Sequence, residues 1–283
     1  AIATRQETLV FTDASIFSMR FVGSPFYFSF NEIASGIGMI APKAAASIGN
    51  IVFFMDDGAF YRASGNVERL PCTVLDYVFS DINKGARFKF FAANNVEHNE
   101  VIWFYASSSS TEINRYVTYN YAENVWAVGT TSNNFTRTAW DNAPTLTNPI
   151  AAGKLDNTDK NYLYNHESGN LADGTAFPAY IESADIDLDP AGEQFMYLSK
   201  IIPDIEFQDS SNANDSVNLV LKGRRYPNEA QSTLSTSALT ATTNYKNTRG
   251  RTRQVAVRIE NADGDFKWRL GDTRFEVRPD GAK

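Results

Sequence analysis

The stretch Asn99-Glu-Val-Ile-Trp-Phe-Tyr-Ala-Ser-Ser-Ser-Ser-Thr-Glu-Ile-Asn-Arg-Tyr-Val-Thr-Tyr-Asn-Tyr-Ala-Glu-Asn-Val-Trp-Ala-Val-Gly129 decides the fold. It holds three short strands and two turns. Residues 101–105 are apolar at every position, as a strand buried on both faces must be. Residues 114–121 mix Tyr116, Tyr119 and Tyr121 with Val117, aromatic and β-branched types that favour strands. Ala122-Glu123-Asn124 is a polar turn that delivers Val125, Trp126 and Val128 as a third strand. Such a meander buries an aromatic-rich face and needs a similar neighbour to cover it. The chain supplies neighbours of the same kind, which favours one blade of a repeated β structure; an ordinary meander within a sandwich stays open.

Outward from it, residues 8–12 and 15–22 form a hairpin around Asp13-Ala14, residues 27–30 continue the sheet, and Gly23-Ser24-Pro25 breaks between them. Residues 51–55 and 59–63 form another hairpin, and the Asp-Gly of Asp56-Asp57-Gly58 suits a turn that needs positive φ. Val74, Leu75, Val78, Phe79 and Ile82 recur at helical spacing, which predicts one short helix insert over about 72–84, with Gly85 as the stop. Phe88, Phe90 and Phe91 resume the strands. A further unit runs through Ala139-Trp140, residues 150–153 and residues 162–165. Polar turns feeding apolar strands at 49–54, 98–103 and 160–164 recur at roughly 50 to 60 residues, about a kelch-length blade.

Past Phe177-Pro178 the texture changes. Ile181, Ile186 and Leu188 alternate with acids, and residues 197–207 read as one apolar strand. A loop at 209–216 precedes residues 217–221. Residues 231–247 are rich in Ser, Thr, Ala and Asn and predict either an extended arm or a strand pair completed by a partner. Alternating Val255, Val257 and Ile259, a turn at Asp263-Gly264, then Phe266, Trp268 and Leu270 close the chain, with Phe275 and Val277 after a second turn. The expected fold is therefore mainly β. A partial or complete β-propeller of antiparallel blades spans 1–177, and an antiparallel, β-sandwich-like C-terminal domain spans 178–283.

Composition sets the outer bounds. The 283 residues are 43% hydrophobic and 13% aromatic (20 Phe, 13 Tyr, 4 Trp), ample for a packed core and weighted toward β. A formal net charge of −7 leaves no large nucleic-acid footprint at whole-chain level. The single cysteine, Cys72, excludes an intrachain disulfide and disfavours structural zinc. No apolar run approaches the ~18 residues of a membrane helix. The sequence opens in mid-pattern without an initiating Met or a signal peptide, so a longer parent protein is expected. Residues 178–221 are acidic apart from Lys200, whereas the arginines cluster from Lys222 onward. These opposite charges could be satisfied within the domain, between subunits or by a partner.

Several segments together resemble a phage tail family. They are Leu9-Val-Phe-Thr-Asp-Ala-Ser15, Gly23-Ser-Pro-Phe26, Gly36-Ile-Gly-Met-Ile-Ala-Pro42, Asn99 to Tyr105, Arg115 to Trp126, Arg137-Thr-Ala-Trp140, Arg253 to Glu260, and Trp268 to Gly271 with Arg278-Pro-Asp-Gly281. The whole resembles the distal part of tail nozzle proteins of short-tailed bacteriophages, also called tail tubular protein B, and more distantly the packaged-DNA-stabilisation proteins that plug phage heads. The resemblance implies a propeller-bearing structural virion protein of the phage tail, typically a homo-hexamer around the tail axis. It would extend the DNA channel used in ejection and contact the tail adaptor protein and tail fibres. It implies no catalytic residues, hence no enzyme, and no cofactor. This chain is shorter than those proteins, so a proximal part is expected to be missing. A net-negative lumen would let double-stranded DNA pass without sticking, without specific binding and without membrane insertion. The Ser/Thr-rich segment at 231–247 would suit strand exchange between neighbours.

Chemical motifs are weak throughout. Asp185-x-Asp187-x-Asp189 begins like a calcium loop, but Pro190 and Met196 stand where the EF-hand needs Gly and Glu, which leaves a solvated acidic stripe on a strand. Gly36-x-Gly38 lacks the third glycine and the following helix of a dinucleotide site. His98 and His166 sit in comparable polar turns, and a shared metal would need a third ligand, for which Cys72 looks helical and half-buried. Glu97, Glu100 and Glu123 are candidates for glycoside cleavage by residue type alone. Trp103, Trp126, Trp140 and Trp268 read as core. The expected catalytic, cofactor and metal residues are none. An alternative function is a host-surface glycan-binding propeller module using loops at 133–136 and 156–160.

Overall fold

A computed structural model describes residues 1–131, 136–143, 145–154, 160–172, 174–189, 191–210, 215–261 and 264–281. The chain is mainly β and divides into two compact units, Ala1–Ser168 and Gly169–Lys283. The division falls nine residues before the boundary that the change of texture at Phe177-Pro178 suggests.

Unit 1 is a run of antiparallel meanders laid down in chain order. The first sheet holds β1 (Ile2–Ala3), β2 (Thr8–Phe11), β3 (Ser15–Gly23) and β4 (Tyr27–Ser35); the second holds β5 (Ala45–Ile48), β6 (Ile51–Met55), β7 (Phe60–Ser64) and β8 (Asn66–Arg69). Helix α1 (Leu75–Asp81) and a 3-10 turn (Lys84–Lys89) intervene. The third sheet holds β9 (Phe91–Asn95), β10 (Glu100–Tyr105), β11 (Arg115–Asn120) and β12 (Val125–Thr130), and the fourth β13 (Ala139–Asp141), β14 (Ile150–Lys154) and β15 (Asn161–Asn165).

Strands β6 and β10 show what holds the run together. In β6, Val52 and Phe54 face a core shared with Leu9 and Ile16 of the first sheet. Phe53 and Met55, on the opposite face, join Val101, Trp103 and Tyr105 of β10. The other face of β10, Ile102 and Phe104, packs with Phe91 and Ile113 and meets Trp140 of the fourth sheet. Period-two alternation thus places successive residues of one strand in two different cores. The first strands of successive sheets also lie together: Ala92 N–H donates to the Lys43 carbonyl at 2.8 Å. This is the arrangement of propeller blades, each roofed by the next.

The tryptophans of unit 1 belong to the core and also tie sheet to sheet. Trp103 Nε1 donates to the Ala44 carbonyl (3.2 Å), Trp126 Nε1 to Pro71 (2.8 Å) and Trp140 Nε1 to Asn94 (3.1 Å). In each case the indole N–H finds a carbonyl at or next to the preceding sheet, which for Trp103 and Trp140 removes the penalty of burying it unpaired.

Three local expectations are corrected. The helix is shorter than 72–84, because Asn83 accepts from the Gly85 N–H and starts the 3-10 turn; Gly85 lies inside that turn and stops nothing. Phe88 rides on the same turn, exposed, and strands resume only at Phe91. Gly58 is not left-handed; positive φ in the second sheet belongs to Gly49 (62°), where Ile48 pairs with Ile51 across a two-residue turn, and to Gly65 (81°).

Unit 2 is a two-sheet sandwich preceded by a small ribbon, β16 (Leu171–Ala172) with β17 (Thr175–Ala176). The remaining strands are β18 (Ala179–Glu182), β19 (Ile186–Asp187), β20 (Met196–Ile202), β21 (Ile205–Gln208), β22 (Ser216–Arg224), β23 (Ser232–Thr240), β24 (Lys246–Thr252), β25 (Gln254–Asn261), β26 (Lys267–Leu270) and β27 (Arg274–Pro279). One sheet runs β18-β25-β22-β23 with β19 also on β25; the other runs β24-β20-β27, and β21 pairs β26. Met196, Leu198 and Ile201 of β20 face Val217, Leu219 and Leu221 of β22 across the single core. The strand expected over 197–207 is two strands, because Pro203 has no N–H to give and Asp204 is engaged by the backbone of Gly271 and Asp272. Residues 231–247 are neither a free arm nor a pair awaiting a partner: β23 pairs with β22 and β24 with β20 of the same chain.

Candidate functional site

Side chains of opposite chemistry from distant parts of unit 1 converge beside the third sheet. Asn95 ends β9 and is fully buried; its Nδ2 donates to Glu167 Oε1 at 3.2 Å, while its Oδ1 has no partner. His98, on the 3-10 turn Val96–His98, places Nε2 3.2 Å from Glu167 Oε2. Glu100, first residue of β10, is half-buried beside them. Burial pushes its carboxyl above the ordinary range, His98 works the other way, and the charge of Glu167 adds to the rise. Burial also drives the Tyr116 hydroxyl up to about 12, aided by the two carboxylates.

One residue back along the chain, His166 faces a different partner. Arg137 Nε donates to His166 Nε2 at 2.9 Å, and the Trp140 ring lies 4.5 Å away. Burial and then the Arg137 charge hold this imidazole neutral, its pKa brought down to about 4. The two histidines therefore meet opposite charges: His98 a carboxylate and His166 a guanidinium. Among the described residues no group of three or more His, Cys, Asp or Glu side chains is placed to hold a metal ion.

Of the carboxylates singled out by type, only Glu100 joins this cluster; Glu97 is exposed on the same turn as His98, and Glu123 is exposed in the turn before β12. Its acidic companion is Glu167, whose backbone is left-handed (φ 55°) and which no local motif marks. Asn95 was equally unmarked, and Arg137 was noted only as the start of the Arg137-Thr-Ala-Trp140 segment; only the fold brings residues 95, 137 and 167 together. Cys72 precedes the helix and is half-buried among apolar side chains, which pushes its thiol up to about 11 and leaves it unreactive. Gly36 and Gly38 serve the chain itself: Gly36 is left-handed (φ 72°), and a Cβ on Gly38 would sit 2.3 Å from the Asp13 carbonyl oxygen. The loops at 133–136 and 156–160 lie, but for residues 136 and 160, outside the described residues, as does Asp263 of the expected turn at 263–264.

In unit 2 the expected acidic stripe is solvated in part: Asp187 is exposed, whereas Asp185 and Asp189 are half-buried. Asp185 accepts from Arg224 and, at 2.7 Å, from Gln231; Asp187 accepts from Gln254 at 3.2 Å. Glu182 accepts from Lys222 Nζ (2.8 Å) and Arg258 Nη1 (3.0 Å), and Arg258 also reaches Glu260 and stacks over the Tyr180 ring at 3.8 Å. Burial works to raise the Glu182 carboxyl, but the bonds from Lys222 and Arg258 outweigh it and hold it below the usual carboxylate range. The acidic and basic segments thus meet within the unit. Trp268 donates to Asn261 Oδ1 at 3.0 Å.

A second feature of unit 1 is a projecting hairpin. Strands β3 and β4 are nine residues each, yet β2 supports β3 only between Ile16 and Met19. Met19 pairs with Phe30 and Phe21 with Phe28, so these side chains share one face, while Ser18, Arg20, Ser29 and Asn31 occupy the other. The apolar face is in the open, and the tip adds Phe26 and Tyr27.

No family model matches the chain, and no curated protein matches it. Solved structures with some likeness include two forms of an exo-beta-1,3-galactanase from Phanerochaete chrysosporium with beta-1,3-galactotriose. One is 8% identical over 93% of this chain and 75% of that chain, the other 7% identical over 95% and 80%, each with a TM-score of 0.29. These are structures of an enzyme, so the expectation that the chain is no enzyme is not upheld by them. At that TM-score the likeness assigns no activity. Among the described residues no helix is long and apolar enough to cross a membrane.

Proposed function

We propose that this chain is a structural subunit of a short phage tail, of the nozzle or tail tubular protein B kind. In this reading it forms, with further copies, part of an axial ring in the virion, typically of six subunits, through which DNA is ejected and to which adaptor and fibres dock. The observation that carries the reading is the run of chain-ordered, mutually roofed meanders in unit 1. It is the architecture that the sequence resemblance implies, and the resembling segments lie at its structural joints. Leu9 to Ser15 makes the β2–β3 turn, Gly36 to Pro42 links the first sheet to the second, and Arg115 to Trp126 spans β11 and β12. The DNA would pass without specific contacts, consistent with the net charge of −7.

The test is an image and a mass. Purified protein, in its longest natural form, should give a ring with an axial opening by negative-stain microscopy and a matching oligomer mass, and antibody against unit 2 should label tails of intact virions. A monodisperse monomer at high concentration, or virions that carry no label, would end this reading.

A further inference from the structure

We infer that Asn95, His98, Glu100 and Glu167 form a proton-operated latch on the seam between the third and fourth sheets, tight in mild acid and slackened as the pH rises. The inference stands on unit 1 alone and does not depend on the tail-subunit reading.

This seam is where charge can decide closure. Between the second and third sheets Phe53, Met55 and Phe60 pack with Val101, Trp103 and Tyr105 in a broad apolar core. Between the third and fourth, among the described residues, Trp140 is the fourth-sheet side chain that enters the cluster of Phe91, Ile102 and Phe104. The rest of the join is polar. Trp140 Nε1 donates to the Asn94 carbonyl, Asn95 Nδ2 donates to Glu167 Oε1, and His98 Nε2 stands 3.2 Å from Glu167 Oε2. Glu167 is anchored on its own side. Asn148 Nδ2 donates to its carbonyl at 3.1 Å, and the His166 N–H donates to the Pro149 carbonyl at 2.7 Å. The Glu167 carboxylate is thus the bolt, and the turn after β9 is its socket.

Within the socket a second carboxyl and an orphan acceptor stand side by side. Glu100 opens β10 directly opposite Asn95 at the end of β9, and opposed residues of an antiparallel pair put their side chains on one face. The Asn95 amide therefore lies between Glu100, its strand partner, and Glu167, to which it is bonded. Asn95 is fully buried, yet its Oδ1 has no partner. An ionised Glu100 has only acceptors to offer and cannot satisfy it; a protonated Glu100 has an O–H to give. Burial lifts the Glu100 carboxyl most, His98 opposes, the Glu167 charge adds to the rise, and the Asn95 amide opposes. Proton uptake by Glu100 then does two things at once. It removes a like charge facing Glu167, and it places a donor at the strand position opposite Asn95. Protonation of His98 works in the same direction, by turning its contact with Glu167 into an ion pair.

The surrounding groups set the limits. Tyr116 of β11, its hydroxyl driven up to about 12 by burial, stays neutral. Asn120, opposite Glu100 on β11, carries no charge, and Glu97 is exposed on the turn with His98. On the fourth-sheet side stand His166 and Arg137, 2.9 Å apart. His166 takes a proton only near pH 4, and an imidazolium against that guanidinium pushes the same turn away. The sign for Glu100 is that of a carboxyl raised by folding: its contribution is present in acid and is lost as pH rises through the folded value. The latch is tight over an interval of mild acid, closed off above by loss of the Glu100 proton and below by gain of the His166 proton.

The test follows opening of the seam in the full chain by hydrogen exchange and mass spectrometry at pH 5 and pH 8, corrected for the intrinsic effect of pH on amide exchange. Peptides covering β13 and residues 161–168 should be several-fold better protected at pH 5 than at pH 8, while those from β6 and β7 keep the same protection. Glu100→Gln, uncharged and with an amide N–H to donate, should show the acid level of protection at both pH values. His98→Gln should lose protection at pH 5 and little at pH 8. A merely structural role for either residue would change protection by the same factor at both. Carbon-13 NMR of the glutamate carboxyls gives a second readout: one signal should titrate above the ordinary carboxylate range and be absent from Glu100→Gln. A wild-type seam equally protected at both pH values, or a pH dependence that survives in Glu100→Gln, overturns the inference and leaves the tail-subunit reading where it stood.

Discussion

Unit 1 and unit 2 are both antiparallel β and both rich in aromatic residues, yet they bury themselves in different ways. In unit 1 inner strands such as β6 and β10 serve two cores, so stability is shared along a row of sheets. In unit 2 two sheets close over one core, and the outside of the larger sheet is knitted by ion pairs: Glu182 with Lys222 and Arg258, and Asp185 with Arg224. The contrast teaches that an apolar face can be finished in two ways, by another sheet or by closure on itself.

The sharpest way to break this comparison is to remove the residue in which unit 1 is most shared. Trp103 is fully buried against the rings of Phe60 and Trp126 and bonded to Ala44. Trp103→Ala should cost about 4 kcal/mol in unit 1. Calorimetry should show the transition of unit 1 shifted down and that of unit 2 unmoved; a common shift of both would show that the units unfold as one.

Acid should separate the units next. The folded His166 holds its proton only below about 4, against an ordinary value near 6.5. The unfolded chain therefore binds more protons between those values, and stability present above about 6.5 is lost as pH falls toward 4. With solvent screening allowed for, the loss is of order 2 kcal/mol. It should be confined to unit 1 and disappear in His166→Gln, as followed by pH-dependent urea denaturation. Glu100 carries the opposite sign: its raised carboxyl costs stability as pH rises through the folded value, so Glu100→Gln should stabilise unit 1 at neutral pH and do nothing in strong acid.

In unit 2 the corresponding probe is Glu182→Ala, which strands two half-buried cations. A loss of roughly 1–2 kcal/mol is expected, between the values for exposed and buried pairs. Because the Glu182 carboxyl is held low, the wild-type contribution is fully present above about 4.5 and fades as pH falls through the folded value. Equal denaturation midpoints for wild type and variant at pH 7 would show the network to be ornamental. The smallest effect belongs to Tyr27, whose left-handed backbone (φ 56°) strains a bulky residue. Tyr27→Gly should recover about 0.5–1 kcal/mol in unit 1 if nothing covers the tip. In the assembled form the gain should be offset by lost contact.

Much of the fold was legible, for a physical reason. Residues 101–105 are apolar without alternation, and only a strand covered on both faces tolerates that, so the stacked sheets follow from β10 alone. The short helix was readable from Val74 to Ile82 by its spacing, though not its end, because the Asn83 cap depends on a side-chain bond that periodicity does not register. The candidate cluster was half legible. His98, Glu100 and His166 stood out by type, but Glu167 and Asn95 had no motif to announce them, the segment starting at Arg137 said nothing of its partner, and the pairing of each histidine with a different charge could not be read from spacing. The hairpin was read as two strands and a break; that its phenylalanines are exposed shows only in the fold, because β2 supports β3 only as far as Met19.

Local pattern determined most of the strands, the α-helix seen among the described residues and the division into two textures, because side-chain period and turn chemistry act over a few residues. Tertiary structure alone decided which faces are roofed, which carboxylate meets which cation, and that the segment at 231–247 pairs at home. Those outcomes depend on which surfaces the folded chain brings together across tens of residues, and no short window of sequence contains both partners.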